Sequence, residues 1–401
     1  MTHRLHDPAH DAWLRTQAHA LIDAFRPSVQ PDRIATLGLD SRPLPDPVQE
    51  LHTVTRFVHS FALAKAFGAD ADAEIDAGMA QIARHRDADH GGFVWSVDGK
   101  GIADGTKLAY GHMFVLLAAS SALTAGHPVA PALLAEMTDL LDRHYWDDEA
   151  GLFRDEFTRD WQPFSTYRGM NANMHAAEAL LTAFEATGEA LYLDRAGRIL
   201  SFFAGRMAPQ HGWRLPEHYS ENWQVDPEYA GNPMFRPKGT TPGHSLELGR
   251  LLLQHWDLAG RPDATTPDHA RRLIEQALAD AWRPDGGFVY TLALDGQVAI
   301  PDRYWWPVAE AIGAIAALAK VDLQPQDAQW YDRLWSFANE HLIDHEHGGW
   351  FPELDESGKP VSRQFLGKPD IYHALQATLL PLAPGISRLA DALSDRNNRG
   401  A

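Results

Sequence analysis

Along the chain, apolar residues recur at three- and four-residue spacing in twelve stretches. That period predicts α-helices over 11–26, 48–67, 70–86, 108–126, 131–145, 171–187, 190–206, 243–259, 267–281, 306–320, 327–342 and 370–381. The helices fall into six pairs. Between pairs the chain turns back within a few residues, as at Gly68-Ala69 and Thr187-Gly188-Glu189, whereas within a pair it makes a long excursion. Five of the six excursions carry a glycine-aromatic mark: His90-Gly91-Gly92-Phe93, Ala150-Gly151-Leu152-Phe153, His211-Gly212-Trp213, Asp285-Gly286-Gly287-Phe288 and His347-Gly348-Gly349-Trp350, roughly 60 to 75 residues apart. Each mark reads as a hairpin turn, because glycine permits positive φ and the flanking aromatic and β-branched residues suit short strands.

The two helices of a pair differ in character. The second ones, over 113–122, 172–184 and 308–319, are apolar on most sides, while a partner such as 271–280 keeps a charged face. A helix apolar all round belongs inside and one with a charged face outside. The expected architecture is therefore all-α, an (α/α)6 barrel or toroid, with short β-hairpins in the long loops on one face. Residues 1–401 read as a single catalytic domain with a loosely held tail after about 384.

Charge and composition narrow the function. A formal net charge of -19 opposes binding to phosphate backbones and anionic membranes. The absence of cysteine removes thiol nucleophiles, disulfides, iron–sulfur clusters and Cys-ligated zinc. No apolar run reaches the ~20 residues of a membrane span, and the first residues lack the apolar core of a signal peptide, so a cytoplasmic location is expected. Oligomeric state is not legible.

In a toroid the six excursions emerge at one end and wall a funnel, into which the first turns of the inner helices point. Those turns hold Arg56, Tyr110-Gly111-His112, Asn171 with His175 and Glu178, His244 with Glu247, Trp306-Pro307 with Glu310, and Asp370-Ile371-Tyr372-His373. Such convergence of polar and aromatic groups from separate segments marks a candidate site. His175 with Glu178 and His244 with Glu247 share the spacing His-x-x-Glu, which puts both residues on one helical face, where the carboxylate can orient the imidazole. Arg56 lies in an otherwise interior run and needs a partner; a sugar's hydroxyls or Glu310 are the candidates. Trp95, Trp213, Trp305, Trp306 and Trp350 lie in or beside the funnel, where a flat face can stack on the C–H patches of a sugar ring; Trp306 is favoured for that role. Metal is not expected: His-Glu-x-x-His is absent and His112, His175, His244 and His373 come from four helices. No cofactor is expected either.

Histidines titrate near neutrality, which suits moving a proton on and off the carbon next to a carbonyl. An open-chain aldose carries such a proton at C2. Its removal leaves a cis-enediol, and its return to C1 gives a ketose, while return to the other face of C2 gives an epimer. Arg56, Asn171 or a second histidine would hold the enediolate oxygens.

At Tyr167 to Ala179, Thr241 to Arg250, Trp306 to Ala311 and Lys368 to His373 the chain resembles the N-acylglucosamine 2-epimerase family, within it the aldose–ketose isomerase branch that includes mannose and sulfoquinovose isomerases. The resemblance runs from about Trp13 to Pro384. It implies the same barrel, cofactor-free transfer through an enediol, and two principal histidines: His373 as the C2–C1 shuttle and His244 for ring opening. Glu247, Glu310, His175, Arg56, Tyr110, Asn171 and Trp306 match positions that line or support the sugar site. Sulfosugar isomerases look to use a further arginine where this chain has Met234, with Arg236 and Lys238 nearby. That departure favours a neutral monosaccharide: mannose to fructose, with lyxose to xylulose as a second pair. The alternatives are a 2-epimerase of mannose, N-acylmannosamine or cellobiose, a sulfoquinovose isomerase, an (α/α)6 glycoside hydrolase using Glu247 and Glu310, and a non-catalytic sugar-binding protein.

Overall fold

The computed structural model describes residues 3–5, 7–45, 48–229, 231 and 236–400, with side chains to residue 395. Twelve helices pair as outer and inner members: α1 (Pro8–Phe25) with α2 (Leu51–Ala66), α3 (Asp72–Arg84) with α4 (Ala109–Thr124), α5 (Ala130–His144) with α6 (Met170–Thr187), α7 (Ala190–Leu200) with α8 (Pro242–Leu258), α9 (Thr265–Ala281) with α10 (Trp305–Asp322), and α11 (Pro325–Phe337) with α12 (Tyr372–Leu379). Helices α7 and α11 run on through wider π turns, Ser201–Met207 and Ala338–Leu342.

Sequence explains which ring each helix joins. Helix α9 buries Ala270, Leu273, Ile274, Ala277, Leu278 and Ala281, one stripe at helical spacing, and keeps its charged residues off that stripe. Helix α4 has no Asp, Glu, Lys or Arg and buries almost every residue from Ala109 to Ala122, so it has to be inside. The ring closes where α12 packs on α2, and Lys368 N donates to Leu37 O (2.7 Å), tying the last excursion to the first.

The glycine marks are tight turns: Gly91, Gly151, Gly212, Gly286 and Gly348 all have φ between 61° and 89°, the left-handed region open to glycine. Three of them are locked by a cation just before the next inner helix. Lys107 donates to Gly91 O and pairs with Asp87, Arg303 donates to Gly286 O, and Lys368 donates to Gly348 O and pairs with Asp344. The inner helices hold the same hairpins from within. His112 Nε2 accepts from Phe93 N (3.1 Å), and Asn173 Oδ1 accepts from Phe153 N (2.8 Å).

Residues Leu389–Gly400 form a further helix, α13, packed on α2, with Leu393 buried. Before it, Ser387 Oγ donates to Asp257 and Arg388 N to Glu185.

Candidate active site

At the hairpin end of the barrel, inner helices and the loops before them enclose a cavity of about 350 Å³. Arg56, Tyr110, Asn171, His175, His244, Glu247, Trp306 and His373 all line it, together with His52, Tyr290, Trp305, Phe365 and Asp370. All but Tyr290, Phe365 and Asp370, which stand in the long loops, come from the first turns of an inner helix. Glu310 does not reach the cavity but stands behind His373.

Two histidines have matching surroundings. His373 donates from Nδ1 to Glu310 Oε1 (2.7 Å), and His244 donates from Nδ1 to Glu217 (3.0 Å to Oε1 and 3.1 Å to Oε2). A carboxylate on Nδ1 fixes the tautomer and makes Nε2 the basic nitrogen. Trp306 lies between the two rings, with centroids 5.2 Å from His244 and 5.7 Å from His373. Its position demands glycine at 243, since a Cβ there would come within 2.3 Å of the indole.

His175 is different. Burial drives its pKa down to about 4, against the pull of Glu178, so it is neutral at pH 7. Its Nδ1 is 3.2 Å from Glu178 Oε2, and Tyr372 OH donates to the other Glu178 oxygen. Burial works against the Glu178 anion, but the bond from His175 and the charge of Arg250 hold its pKa below the usual range. Glu247 goes the opposite way: burial, then the nearby Glu310 and Glu178, push it well above that range, and neither oxygen has a hydrogen-bond partner. Its carboxyl faces the cavity, with the charged form disfavoured.

Arg56 is buried, donates to Asp370 Oδ2 (3.0 Å) and Tyr110 OH (2.9 Å), and lies over the rings of Phe114 and Tyr372. Burial and surrounding acids hold the Tyr110 hydroxyl at about 12 despite Arg56. Because that oxygen accepts from Arg56, its own proton is free for a ligand. Asn171 Oδ1 is buried and unpartnered.

His175, Glu178 and Glu247 bring three ligand atoms within 4.8 Å of one another. A cation there would compete with the His175 and Tyr372 bonds to Glu178.

The family model for N-acylglucosamine 2-epimerase matches residues 34–377. The chain belongs to the N-acylglucosamine 2-epimerase family. Within that family it is 39% identical to the D-mannose isomerase of Thermobifida fusca, over 96% of this chain and 97% of that one. It is 37% identical to the D-mannose isomerase of Pseudomonas cannabina pv. alisalensis, over 97% of each. A crystal structure of D-mannose isomerase superposes with a TM-score of 0.87 at 32% identity, covering 94% of this chain and 99% of that one. The (α/α)6 barrel read from the helix pattern is the barrel of these N-acylglucosamine 2-epimerase family members.

Several contacts differ from the expected ones. Glu247 does not orient His244; Glu217 does, while Glu247 turns to the axis, 3.7 Å from His175 and 4.0 Å from Arg250. The partner of Arg56 is Asp370, not Glu310. His112 is spent on its hairpin, and Trp350 packs on Trp335 away from the cavity. Trp95 stacks on His52 and so supports the cavity wall. Met234 lies outside the described residues, but Arg236 is paired with Glu156 and Lys238 with Glu228, and neither lines the cavity. Sequence reasoning missed Glu217, which stands in an irregular loop without periodicity, and Arg250, which reads as the charged end of a family segment.

Proposed function

We propose that this chain is an aldose–ketose isomerase interconverting D-mannose and D-fructose, with D-lyxose and D-xylulose as a second pair, by metal-free proton transfer through a cis-enediol. The observation that carries the reading is the pair of histidines on either side of Trp306, each with a carboxylate on Nδ1 and a basic Nε2 on the cavity side. The named activity of relatives 37–39% identical over nearly the whole chain supports the same substrate.

His244 Nε2 opens the ring by relaying a proton between the O1 hydroxyl and the ring oxygen. His373 Nε2 then removes the C2 proton as charge collects on O1, which takes a proton to give the enediol. Return of the proton from His373 to C1, with loss of the O2 proton, makes the ketose; atoms and electrons balance without a co-reactant. Arg56, Tyr110 and Asn171 hold the enediolate oxygens, and Glu247 and neutral His175 contribute hydrogen bonds that shift with the moving charge. Arg56 is the one Lys or Arg lining the cavity among the described residues, and Asp370 already pairs it. This favours a neutral sugar over a sulfonated one. A hydrolase would need Glu247 and Glu310 both facing the scissile bond, whereas Glu310 is committed behind His373. Among the described residues no helix is long and apolar enough to cross a membrane; the proposal includes a cytoplasmic location.

The test is incubation of EDTA-treated protein with D-mannose in D2O, followed by proton NMR. Fructose with deuterium at C1 is expected. Glucose as the first product would make the chain a 2-epimerase, and the absence of any product from mannose or lyxose would overturn the reading. His373→Ala should lower kcat by about 10²–10⁴-fold with KM nearly kept; a sugar-binding protein would lose nothing.

A further inference from the structure

Beneath the cavity floor three buried carboxylates, Glu178, Glu247 and Glu310, converge on one guanidinium, that of Arg250 on α8. Its Nη2 is 3.4 Å from Glu310 Oε2 and 4.0 Å from Glu247 Oε1. Arg250 does not line the sugar cavity. It faces a separate pocket of about 70 Å³ toward the far end of the barrel, beside His59 and Gln376. Gly313 on α10 makes room for it, since a Cβ there would lie 3.3 Å from the arginine Cδ. One cation cannot offset three anions, and the carboxylates share it unequally. Glu178 has Tyr372 and His175, Glu247 stands farther from the guanidinium, and Glu310 takes the direct ion pair while its other oxygen accepts from His373 Nδ1 (2.7 Å).

We propose that Arg250 is a positioning residue for His373: by keeping Glu310 ionised it keeps the proton on His373 Nδ1 and leaves Nε2 as the base that faces the sugar. Without Arg250, a lone buried Glu310 anion takes up a proton rather than stay unpaired. A protonated Glu310 donates to Nδ1 instead of accepting from it, the imidazole switches tautomer, and Nε2 carries the proton it is meant to receive. The role of His373 as shuttle comes from the proposed function, so part of the test needs no turnover.

The measurement is NMR of protein labelled with 15N-histidine, with the His373 signals assigned by their loss in His373→Gln. Wild type is expected to show the Nδ1–H tautomer and Arg250→Met the Nε2–H tautomer. Kinetically, Arg250→Met should lose on the order of 100-fold in kcat with KM within about threefold. Arg250→Lys, which keeps the charge, should recover at least about tenfold of that loss. Arg250→Met on top of Glu310→Gln should cost little more than Glu310→Gln alone, because both act through one contact. This double variant strands no anion at position 310 and carries the test should Arg250→Met fold poorly. An unchanged His373 tautomer in Arg250→Met, or additive losses in the double variant, would overturn the inference. A wild type inactive on mannose, with the His373 tautomer still switching in Arg250→Met, would instead count against the isomerase reading alone.

Discussion

The Nδ1 atom of His244 meets both oxygens of Glu217, and Glu217 Oε1 also accepts from Thr241 N (3.2 Å) at the start of α8. In Glu217→Gln the amide oxygen at the Oε1 place would keep the Thr241 contact and still face Nδ1, but the negative charge beside the imidazole is lost and the NH2 at the Oε2 place stands against the Nδ1 proton. The expected result is a fall in kcat/KM of about 10–100-fold with a thermal midpoint close to wild type; an unchanged kcat/KM would remove Glu217 from any catalytic role. The spacing His244-x-x-Glu247 pointed to a different partner. Three residues of helix do put both side chains on one face, as they do for His175 and Glu178. The Nδ1 edge of His244, however, turns back to the loop before α8, while Glu247 reaches the barrel axis. A contact made 27 residues upstream in an irregular loop leaves no periodic trace, so sequence could name the histidine but not its carboxylate.

At the scale of single elements, the hairpins are held from inside by side chains of the inner helices, a role that sequence could not separate from catalysis. His112 opens α4 just as His175 and His244 open their helices, yet it caps Phe93 N and receives no place in the cavity. Its replacement by alanine strands that buried N–H and should cost about 1–3 kcal/mol, read as a lower denaturant midpoint; an unchanged midpoint would mean the hairpin is held without it. The chain entering α6 carries a pH-sensitive contact in which a loop carboxylate holds the backbone at Gly169. Asp155 is buried, its Oδ2 accepts from Gly169 N (2.8 Å), and burial raises its pKa to about 7, only partly offset by Arg236 and that bond. An acid whose folded pKa lies above its unfolded one loses stabilisation across the pH range where only the unfolded chain ionises it, and contributes least above that range. Its contribution is therefore full below about pH 4 and is lost as pH rises to about 7, on the order of 4 kcal/mol. Asp155→Asn keeps the acceptor without the charge, so it should unfold at a higher temperature than wild type at pH 8, with the advantage vanishing near pH 4. An advantage that does not shrink on acidification would rule out titration of Asp155 as the cause.

For the whole molecule, the ring order was legible because burial is a bulk property: a helix such as α4, without a charged residue, has one place to go. The cations that lock the turns were not legible, since Lys107 and Lys368 are fully buried lysines, and composition alone reads lysine as surface. The same closed packing sets the acid response. Burial holds His10, His59 and His175 at about 4 and His112 at about 3, all on α1, α2, α4 and α6, so the acid-sensitive groups are gathered in the first three helix pairs of the ring. A histidine whose folded pKa is depressed contributes stability that is present above its unfolded value, near 6.5, and is lost as pH falls through the folded value. The thermal midpoint of wild type should therefore decline from about pH 6.5 to about pH 4, even though Asp155 works the other way over part of that window and the net charge of -19 shrinks. Removing the Asp155 contribution should make the decline steeper, so scanning calorimetry of Asp155→Asn between pH 4 and 8 separates the two. A midpoint that holds level or rises on acidification in that variant would mean the buried histidines do not govern the acid limb, and that relief of charge repulsion does.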